Sequence, residues 1–299
     1  MELRHLESFA VLAEELHFGR AAARLQVSQS ALSQQLQRLE AALGEQLVIR
    51  TSREVMLTDA GTELLEPALR VLAAADRAET AIRDLRSGLS GRLRVGSLGA
   101  GLNGPLPEVL TRFREAMPAS IVELHHSGES ADLERSLITG EFDAIIVRRL
   151  VDHRLITSRL IAQESFVVFL PTDHLLSTRD GVRLVDLAEE NFVFWRRHLG
   201  TTFHDSIVDA CRASGFEPSV TAYGDTLEAQ LALVAAGYGV SLQAATNASV
   251  ARDGVVMIPV LDGDVHFRLW MAYLETNRTP AMRALLRSAA PLLDALNDT

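Results

Sequence analysis

Residues 17–44 have the sequence HFGRAAARLQVSQSALSQQLQRLEAALG, which decides how the first part of the chain folds. Apolar side chains recur at helical spacing on both sides of Gln26-Val27-Ser28, so the stretch predicts two short helices joined by a tight turn. Ser28 is a residue type that caps the start of a helix, and Gly44 is one that ends it. Two amphipathic helices separated by so short a turn are typical of a helix-turn-helix.

The polar face of the second predicted helix suits the major groove of DNA. It carries neutral hydrogen-bonding side chains and one cation, which are the groups that recognise base edges. An alanine-rich helical hairpin with a glutamine-rich face also occurs in ordinary helix packing, so this stretch alone leaves both interpretations open. The residues predicted here to contact DNA are Arg20, Ser28, Gln29, Ala31, Ser33, Gln34, Gln37 and Arg38.

Two β-prone runs, residues 45–50 and 55–57, follow the helices and flank a polar turn. They predict a hairpin, which forms a wing when it lies beside a helix-turn-helix. Arg50 and Arg53 are predicted to contact phosphate or the minor groove from this hairpin, the alternative being that they are solvated surface cations. Residues 19–53 hold five arginines and two acidic residues, an excess of positive charge that suits a small DNA-binding surface.

The composition limits the classes of protein to which the chain can belong. Its 299 residues suggest about two domains, and its net charge of −10 argues against a protein that coats nucleic acid without sequence preference. A single cysteine, Cys211, excludes an internal disulfide, and its apolar neighbours predict that it is buried. The histidines show no metal-ligand pattern. Without a long apolar run or a signal peptide, the chain is expected to act in the cytoplasm and away from membranes.

A first helix is predicted over residues 3–15, and a long one from Thr58-Asp59 to about residue 87. The apolar positions of the long helix recur at spacings of four and three, which is typical of a helix that pairs with another helix. A second subunit is the predicted partner, with an intramolecular core helix as the alternative, and Pro67 predicts a kink or a boundary. The residues predicted at the dimer interface are Leu64, Val71, Ala78, Ile82 and Leu85.

Beyond a small-residue hinge at residues 87–91, predicted strands and helices alternate to the end of the chain. Continuous apolar strands such as residues 142–147 predict an α/β fold with parallel sheets covered on both faces. Two lobes with a ligand cleft between them are expected. The expected domains are residues 1–58, 59–91 and 92–299, with a first lobe of about 92–161 and 267–299 and a second lobe of about 162–266.

The chain resembles the LysR-type transcriptional regulators along almost its whole length. The resemblance rests on SFAVLAEELHFGRAAARLQVSQSALSQQLQRLEAALGEQLVIR at 8–50, Arg53, LTDAG at 57–61, FEPSV at 216–220 and LVAAGYGVSL at 233–242. It implies a winged helix-turn-helix, a dimerising linker helix and a two-lobed, periplasmic-binding-protein-like effector domain. It also implies double-stranded DNA, a small-molecule effector and further copies of the chain as partners, commonly in a tetramer that bends DNA, and no cofactor.

The chain departs from the family pattern at several positions. Ser30 stands where proline is usual and Gln34 where arginine is usual, so DNA contacts at that turn are expected to be differently specified. Ala100 occupies a position in the first cleft loop where relatives that control aromatic catabolism often have serine. Ala244, preceded by Gln243, replaces a frequent proline.

Four segments are candidates for the effector site. The backbone amides of Gly99, Ala100 and Gly101 are expected to bind an anion, or simply to form a tight turn. Arg148 follows a buried strand where the family places an effector-binding or inter-lobe arginine, although Arg149 is adjacent. Residues 195–203 combine an aromatic side chain, cations and hydroxyls, which suits the binding of an organic acid or a contact with another subunit. The candidates in this cluster are Trp195, Arg196, Thr201, Thr202 and Phe203. Ser127, in a separate loop, is expected to face the same cleft.

These features predict an effector-responsive transcriptional regulator. A ligand-independent repressor with the same fold is the alternative. An enzyme is disfavoured because residues 96–101 lack the G-x-G-x-x-G form and its acidic partner, and no catalytic or metal-binding residue is assigned.

Overall fold

The computed structural model describes residues 1–50, 54–86, 91–262 and 267–297. These residues form two compact units, one with the N-terminal helices together with Arg135–Glu141, and one with most of the remaining chain. Arg53 and residues 87–90 of the predicted hinge lie outside the described residues. No helix in the described part is long and apolar enough to cross a membrane.

The N-terminal unit is a helical domain with a two-stranded hairpin. Helices α1, α2 and α3 pack around a core that includes Phe9, Leu12, Leu32 and Leu39. Strands β1 and β2 pair antiparallel, as predicted for the wing. The elements are α1 (Leu3–Glu15), α2 (Phe18–Arg24), α3 (Gln29–Leu43), β1 (Val48–Arg50), β2 (Val55–Leu57) and α4 (Asp59–Arg86).

Local signals set the ends of α3. The Ser28 hydroxyl accepts a hydrogen bond from the amide of Ala31 at 3.1 Å, which confirms the predicted cap. Gly44 ends the helix with φ +76°, a left-handed conformation that glycine adopts without steric cost.

Side-chain hydrogen bonds fix the hairpin to the helices on both sides. The Glu40 carboxylate of α3 accepts from the amides of Leu47 at 2.9 Å and Val48 at 3.3 Å. The Thr58 hydroxyl donates to the carbonyl of Gln46 at 2.6 Å and accepts from the amide of Gly61 at 3.0 Å. Residues 46–48, where the first strand begins, are therefore held both by α3 and by the start of α4.

Helix α4 runs without interruption through Pro67, so the expectation of a boundary there is wrong. Leu64 packs partly on the core of its own unit. Further along, the apolar side chains of Val71, Ile82 and Leu85 are exposed, with 43%, 54% and 70% of their surface accessible. This exposed face leaves the second half of α4 available for a partner helix.

The second unit contains two layers of sheet with helices packed against them. The elements after α4 are β3 (Gly91–Ser97), α5 (Gly99–Asn103), α6 (Leu106–Ala116), β4 (Ser120–His126), α7 (Ser130–Thr139), β5 (Ala144–Val147), β6 (Ile156–Glu164), β7 (Phe166–Pro171), β8 (Asn191–Phe194), α8 (Thr201–Ala213), β9 (Ser219–Tyr223), α9 (Leu227–Ala235), β10 (Ser241–Ala244), β11 (Val255–Pro259), β12 (Phe267–Leu274) and α10 (Pro280–Asn297). All of them belong to the second unit except the second half of α7, which is part of the first.

The first sheet has the strand order β4-β3-β5-β12-β6. Strand β3 pairs in parallel with β4 and β5, whereas β12 runs antiparallel to β5 and β6. The expectation of a purely parallel sheet is therefore wrong. Strand β12 comes from a distant part of the chain and lies between β5 and β6, both of which run in the direction opposite to its own. The local alternation of strands and helices in the sequence does not reveal this insertion.

The remaining strands of the second unit form a three-stranded and a two-stranded sheet, which together make up the second layer. Strands β10 and β11 flank β7 antiparallel, and β8 pairs in parallel with β9. Phe192 of β8 also bridges to Val240, which joins the two groups of strands. The carboxyl end of β8 and the helices that follow it face the first sheet across the cleft described below.

Gly61 provides a test of how tightly α4 and the hairpin fit together. A Cβ atom at this position would lie 2.1 Å from the carbonyl oxygen of Leu47, which is far inside van der Waals contact. We expect Gly61→Ala to lower the free energy of unfolding of the N-terminal unit by about 1–3 kcal/mol through overpacking. Thermal and denaturant unfolding measure this change.

Thr62→Ala is the matched control because Thr62 is exposed on the next position of the same helix. It should change stability much less than Gly61→Ala. Equal unfolding midpoints for wild type and Gly61→Ala would contradict the close approach.

Candidate functional site

The candidate DNA-binding surface lies on α3 and the elements around its start. Gln29, Gln34, Gln37 and Arg38 are exposed on α3, as predicted, whereas Ser33 is half-buried rather than exposed. Ala31 is also half-buried, and the Ser28 hydroxyl is used to cap the helix. The freely accessible polar side chains of α3 are therefore mainly amides.

Acidic residues of α1 neutralise part of the predicted positive surface. The Arg20 guanidinium donates to the carboxylate of Glu15 at 3.0 Å, and Arg24 donates to Glu14 at 2.6 Å. The hydrogen bond from Arg20 holds the pKa of Glu15 below its usual range. Glu14 and Glu15 precede residues 19–53 and so do not enter the charge excess predicted for that segment. When they are included, the five arginines are accompanied by four acidic residues.

Arg50 packs on the helix-turn-helix from the first strand of the wing. Its guanidinium lies 4.7 Å from the centre of the Phe18 ring, while the residue stays exposed. This stacking holds the side chain at the edge of the polar surface. Arg53, the second predicted wing residue, lies outside the described residues.

A cleft with a volume of about 620 Å³ opens in the second unit. The starts of helices α7, α8 and α9 line it, together with the residues that follow β3, β5 and β8. The first amides of a helix have no acceptor within the helix, and its N-terminus carries a partial positive charge. The cleft is thus suited to a small molecule with a negative group.

Arg148 lies in this cleft with only 10% of its side chain exposed. Its guanidinium stacks 4.5 Å from the centre of the Phe203 ring and 5.2 Å from that of Phe267. The closest carboxylate, that of Glu164, is 3.8 Å from Nη1, and Arg148 donates no hydrogen bond to any described residue. Burial lowers the pKa of the guanidinium, and Glu164 partly opposes this.

Glu164 is held on its other side. Its second oxygen accepts from the hydroxyl of Thr246 at 2.6 Å and from the amide of that residue at 3.3 Å. The oxygen that faces Arg148 has no hydrogen-bond donor among the described residues. A buried cation and a buried carboxylate therefore face each other without a hydrogen bond.

Trp195, Thr201, Thr202, Phe203 and Ser127 all line the cleft, as their prediction requires. The indole Nε1 of Trp195 is buried without an acceptor in the described part of the chain. The hydroxyl of Thr201 donates to the carbonyl of Arg197, and that of Ser127 bonds within its own turn.

Two predicted effector residues lie elsewhere. Gly101 does not line the cleft, and its amide donates to the carbonyl of Leu98 at 3.0 Å. Of the three amides predicted to bind an anion, only those of Gly99 and Ala100 belong to residues on the cleft wall. A Cβ on Gly101 would lie 2.3 Å from the Ser97 hydroxyl, so close packing explains this glycine. Arg196 is also outside the cleft wall and lies 3.7 Å from the carboxylate of Asp225.

Arg149 reaches the cleft wall but is already paired. Its guanidinium contacts the carboxylate of Glu134, which is 12% exposed. Burial raises the pKa of Glu134 even though Arg149 opposes the shift. Of the two adjacent arginines, Arg148 is the one without a hydrogen-bonded acid.

A buried network of side-chain amides on the cleft wall was not predicted. It includes Gln243 and Asn247, which line the cleft, and reaches Asn103 at the end of α5. A signal was present, because Ser241 and Gln243 alternate as polar residues on one face of an apolar strand.

Cys211 is fully buried, as predicted. Burial raises the pKa of its thiol to about 12, so the thiol stays protonated at neutral pH. This protonation disfavours a nucleophilic role.

Comparison with known proteins assigns the chain to a family. Residues 3–62 match the family model for bacterial regulatory helix-turn-helix proteins of the lysR family, and residues 86–293 match the LysR substrate binding domain. The chain belongs to the LysR family. The predicted fold class, a winged helix-turn-helix with a linker helix and a two-lobed effector domain, is confirmed.

Individual LysR-family proteins are similar over most of the chain. An uncharacterized HTH-type transcriptional regulator of Escherichia coli, YnfL, is 33% identical over 95% of this chain and 96% of its own length. CbnR in complex with its target DNA is 27% identical over 98% of this chain and 100% of that chain, with a TM-score of 0.70. The effector binding domain of BenM with benzoate is 25% identical over 71% and 96%, with a TM-score of 0.61.

The chain is therefore a DNA-binding transcriptional regulator with an effector-binding domain, and not an enzyme. The helix-turn-helix model matches the N-terminal part of the chain, and the substrate binding domain model matches the part that follows.

Two substitutions on α3 separate sequence recognition from charge. Gln29→Ala should lower the preference for an operator selected from random-sequence DNA over unrelated DNA, because a base contact contributes about 1–3 kcal/mol of discrimination. Arg38→Ala should weaken binding to both DNAs and reduce the salt slope by about 1, because it removes a guanidinium charge from the predicted DNA-binding surface. Binding isotherms at several salt concentrations measure both effects.

Arg24→Ala is the control, because Arg24 is exposed but already paired with Glu14. It should alter the salt slope less than Arg38→Ala. A salt slope that Arg38→Ala leaves unchanged would contradict the proposed role of Arg38.

Proposed function

We propose that this LysR-family regulator responds to a small organic acid whose carboxylate is bound by Arg148. The simplest such ligand is an aromatic acid. The observation that carries the proposal is the buried guanidinium that stacks on Phe203 and donates no hydrogen bond to a described residue. Glu164 faces this guanidinium without a hydrogen bond, so an acid that accepts from the guanidinium is stabilised by a charge-assisted hydrogen bond. Benzoate in the BenM effector binding domain is a precedent in a relative.

The surroundings of Arg148 support an aromatic acid. Trp195 and Phe203 provide flat apolar surface on the cleft wall, and the start of α8 adds amides oriented toward a negative group. Gly99, Ala100, Ser127, Thr201 and Thr202 complete the proposed effector site. The volume of about 620 Å³ lies in the range of sites for small molecules.

The DNA-binding and assembly roles are also proposed from the placement of side chains. Gln29, Gln34, Gln37, Arg38 and Arg50 are the residues that we propose to contact DNA, with smaller contributions from Arg20, Ser28, Ala31 and Ser33. Val71, Ala78, Ile82 and Leu85, with Leu64 at the edge of the core, are proposed to form a dimer interface with a second copy of α4. A tetramer follows if the effector units also associate.

We propose the domain limits 1–58, 59–91 and 92–299, and action in the cytoplasm, where a transcriptional regulator meets DNA. A ligand that joins the two sides of the cleft stabilises one arrangement of the two sheets. In a dimer linked through α4, that change alters the spacing of the two DNA-binding heads and the bend of the DNA.

Benzoate binding to the full-length protein tests the acid site. Isothermal titration should detect benzoate, and thermal unfolding should show a rise in Tm with its concentration. Arg148→Met should weaken benzoate binding roughly 10- to 100-fold, because a hydrogen bond to a charged group contributes about 1.5–3 kcal/mol. Arg148→Lys keeps a charge beside Glu164 and should cause a smaller loss.

Arg149→Met is the matched control, since Arg149 is adjacent but paired with Glu134. It should bind benzoate with nearly wild-type affinity. DNA affinity without ligand checks that each variant is folded. If Arg149→Met abolished binding while Arg148→Met retained it, the assignment of the acid site would be wrong.

A further inference from the structure

The amide network on the cleft wall has a fixed direction. Gln230 is fully buried in α9, and its Nε2 donates to the backbone carbonyl of Gly224 at 3.1 Å. A carbonyl can only accept a hydrogen bond, so the Gln230 amide nitrogen must face Gly224. The Gln230 side-chain oxygen therefore faces the rest of the network as an acceptor.

This orientation determines the next two side chains. The Ser241 hydroxyl and Gln243 Nε2 donate to the Gln230 oxygen at 2.8 Å and 2.7 Å. Gln243 Nε2 also donates to the Ser241 hydroxyl at 2.9 Å, so both of its hydrogens are used. The Gln243 oxygen is then left to accept from Asn247 Nδ2 at 3.1 Å.

The chain of hydrogen bonds ends at Asn103. Since Asn247 donates to Gln243, its oxygen accepts from Asn103 Nδ2 at 2.9 Å. The Asn103 side-chain oxygen is consequently the terminal atom of the network. Asn103 is half-buried and lines the cleft, and its side-chain oxygen accepts no hydrogen bond from a described residue.

We propose that the effector carries a neutral hydrogen-bond donor, a hydroxyl or an N–H group, that binds the Asn103 side-chain oxygen. This inference rests on the proposed acid site, because the same ligand places its carboxylate at Arg148. The cleft therefore selects a hydroxy- or amino-substituted organic acid over the unsubstituted acid.

The network makes this selection specific because Asn103 cannot simply turn its amide over. If the Asn103 side chain exchanged its oxygen and nitrogen, its oxygen would face the Asn247 oxygen. To restore the hydrogen bonds, each buried amide of the network would also have to turn over, and the last one cannot because it faces the carbonyl of Gly224. The backbone carbonyl of Asn103 also accepts from the Ser249 hydroxyl at 3.2 Å, which holds the end of α5 in place. The acceptor is thus preorganised, and a ligand that cannot donate leaves it unpaired.

The test compares benzoate with 2-, 3- and 4-hydroxybenzoate on the full-length protein by isothermal titration. At least one hydroxybenzoate should bind about tenfold more tightly than benzoate, as expected for one additional hydrogen bond at a half-buried acceptor. Asn103→Ala should bring that ratio close to one while benzoate binding changes little.

Ser249→Ala is the matched control because it removes a hydrogen bond to the Asn103 backbone and leaves the side-chain oxygen in place. It should retain the preference for the hydroxybenzoate. Operator binding without ligand verifies that both variants are folded.

Each remaining outcome counts against the inference. Equal affinities for benzoate and all three hydroxybenzoates would overturn it and leave the acid site at Arg148 standing. A preference that persists in Asn103→Ala would also overturn it, because the donor would then be bound elsewhere. If none of the four acids bound, both the acid site and the inference built on it would be wrong.

Discussion

The guanidinium of Arg148 stacks on Phe203 and lies 3.8 Å from a carboxylate oxygen of Glu164, and the ligand site depends on this arrangement. A charge that is removed from water needs compensation, and a carboxylate at this distance supplies only part of it. Because the aromatic rings restrict the guanidinium, we propose that its donors are held in place before an acid binds. Binding then costs less side-chain entropy than it would with a freely rotating arginine.

The other walls of the cleft complement this charge. The starts of α7, α8 and α9 line the cleft and add a favourable potential for an anion. The amide network ends in a neutral acceptor at Asn103 and favours a donor there. Charge at one position and a neutral donor at another make the cleft selective among small acids, while the aromatic side chains contribute affinity without much specificity.

Features encoded within a few neighbouring residues were predictable, and features set by distant residues were not. The cap at Ser28 and the stop at Gly44 depend on adjacent backbone groups, so the helix-turn-helix follows from the sequence. The reversed strand β12 and the pairing of Arg24 with Glu14 depend on residues that folding brings together. In the cleft, residue type suggested Arg148, but only the packing shows that Arg196 pairs with Asp225 and that Asn103 ends a polarised network.

A crystal structure of the full-length protein with benzoate would show whether an acid accepts hydrogen bonds from the buried guanidinium of Arg148. We expect a carboxylate oxygen within about 3.2 Å of a guanidinium nitrogen of Arg148, with the ring against Phe203 or Trp195. Benzoate bound away from Arg148, or Arg148 hydrogen-bonded only to Glu164 in the complex, would contradict it.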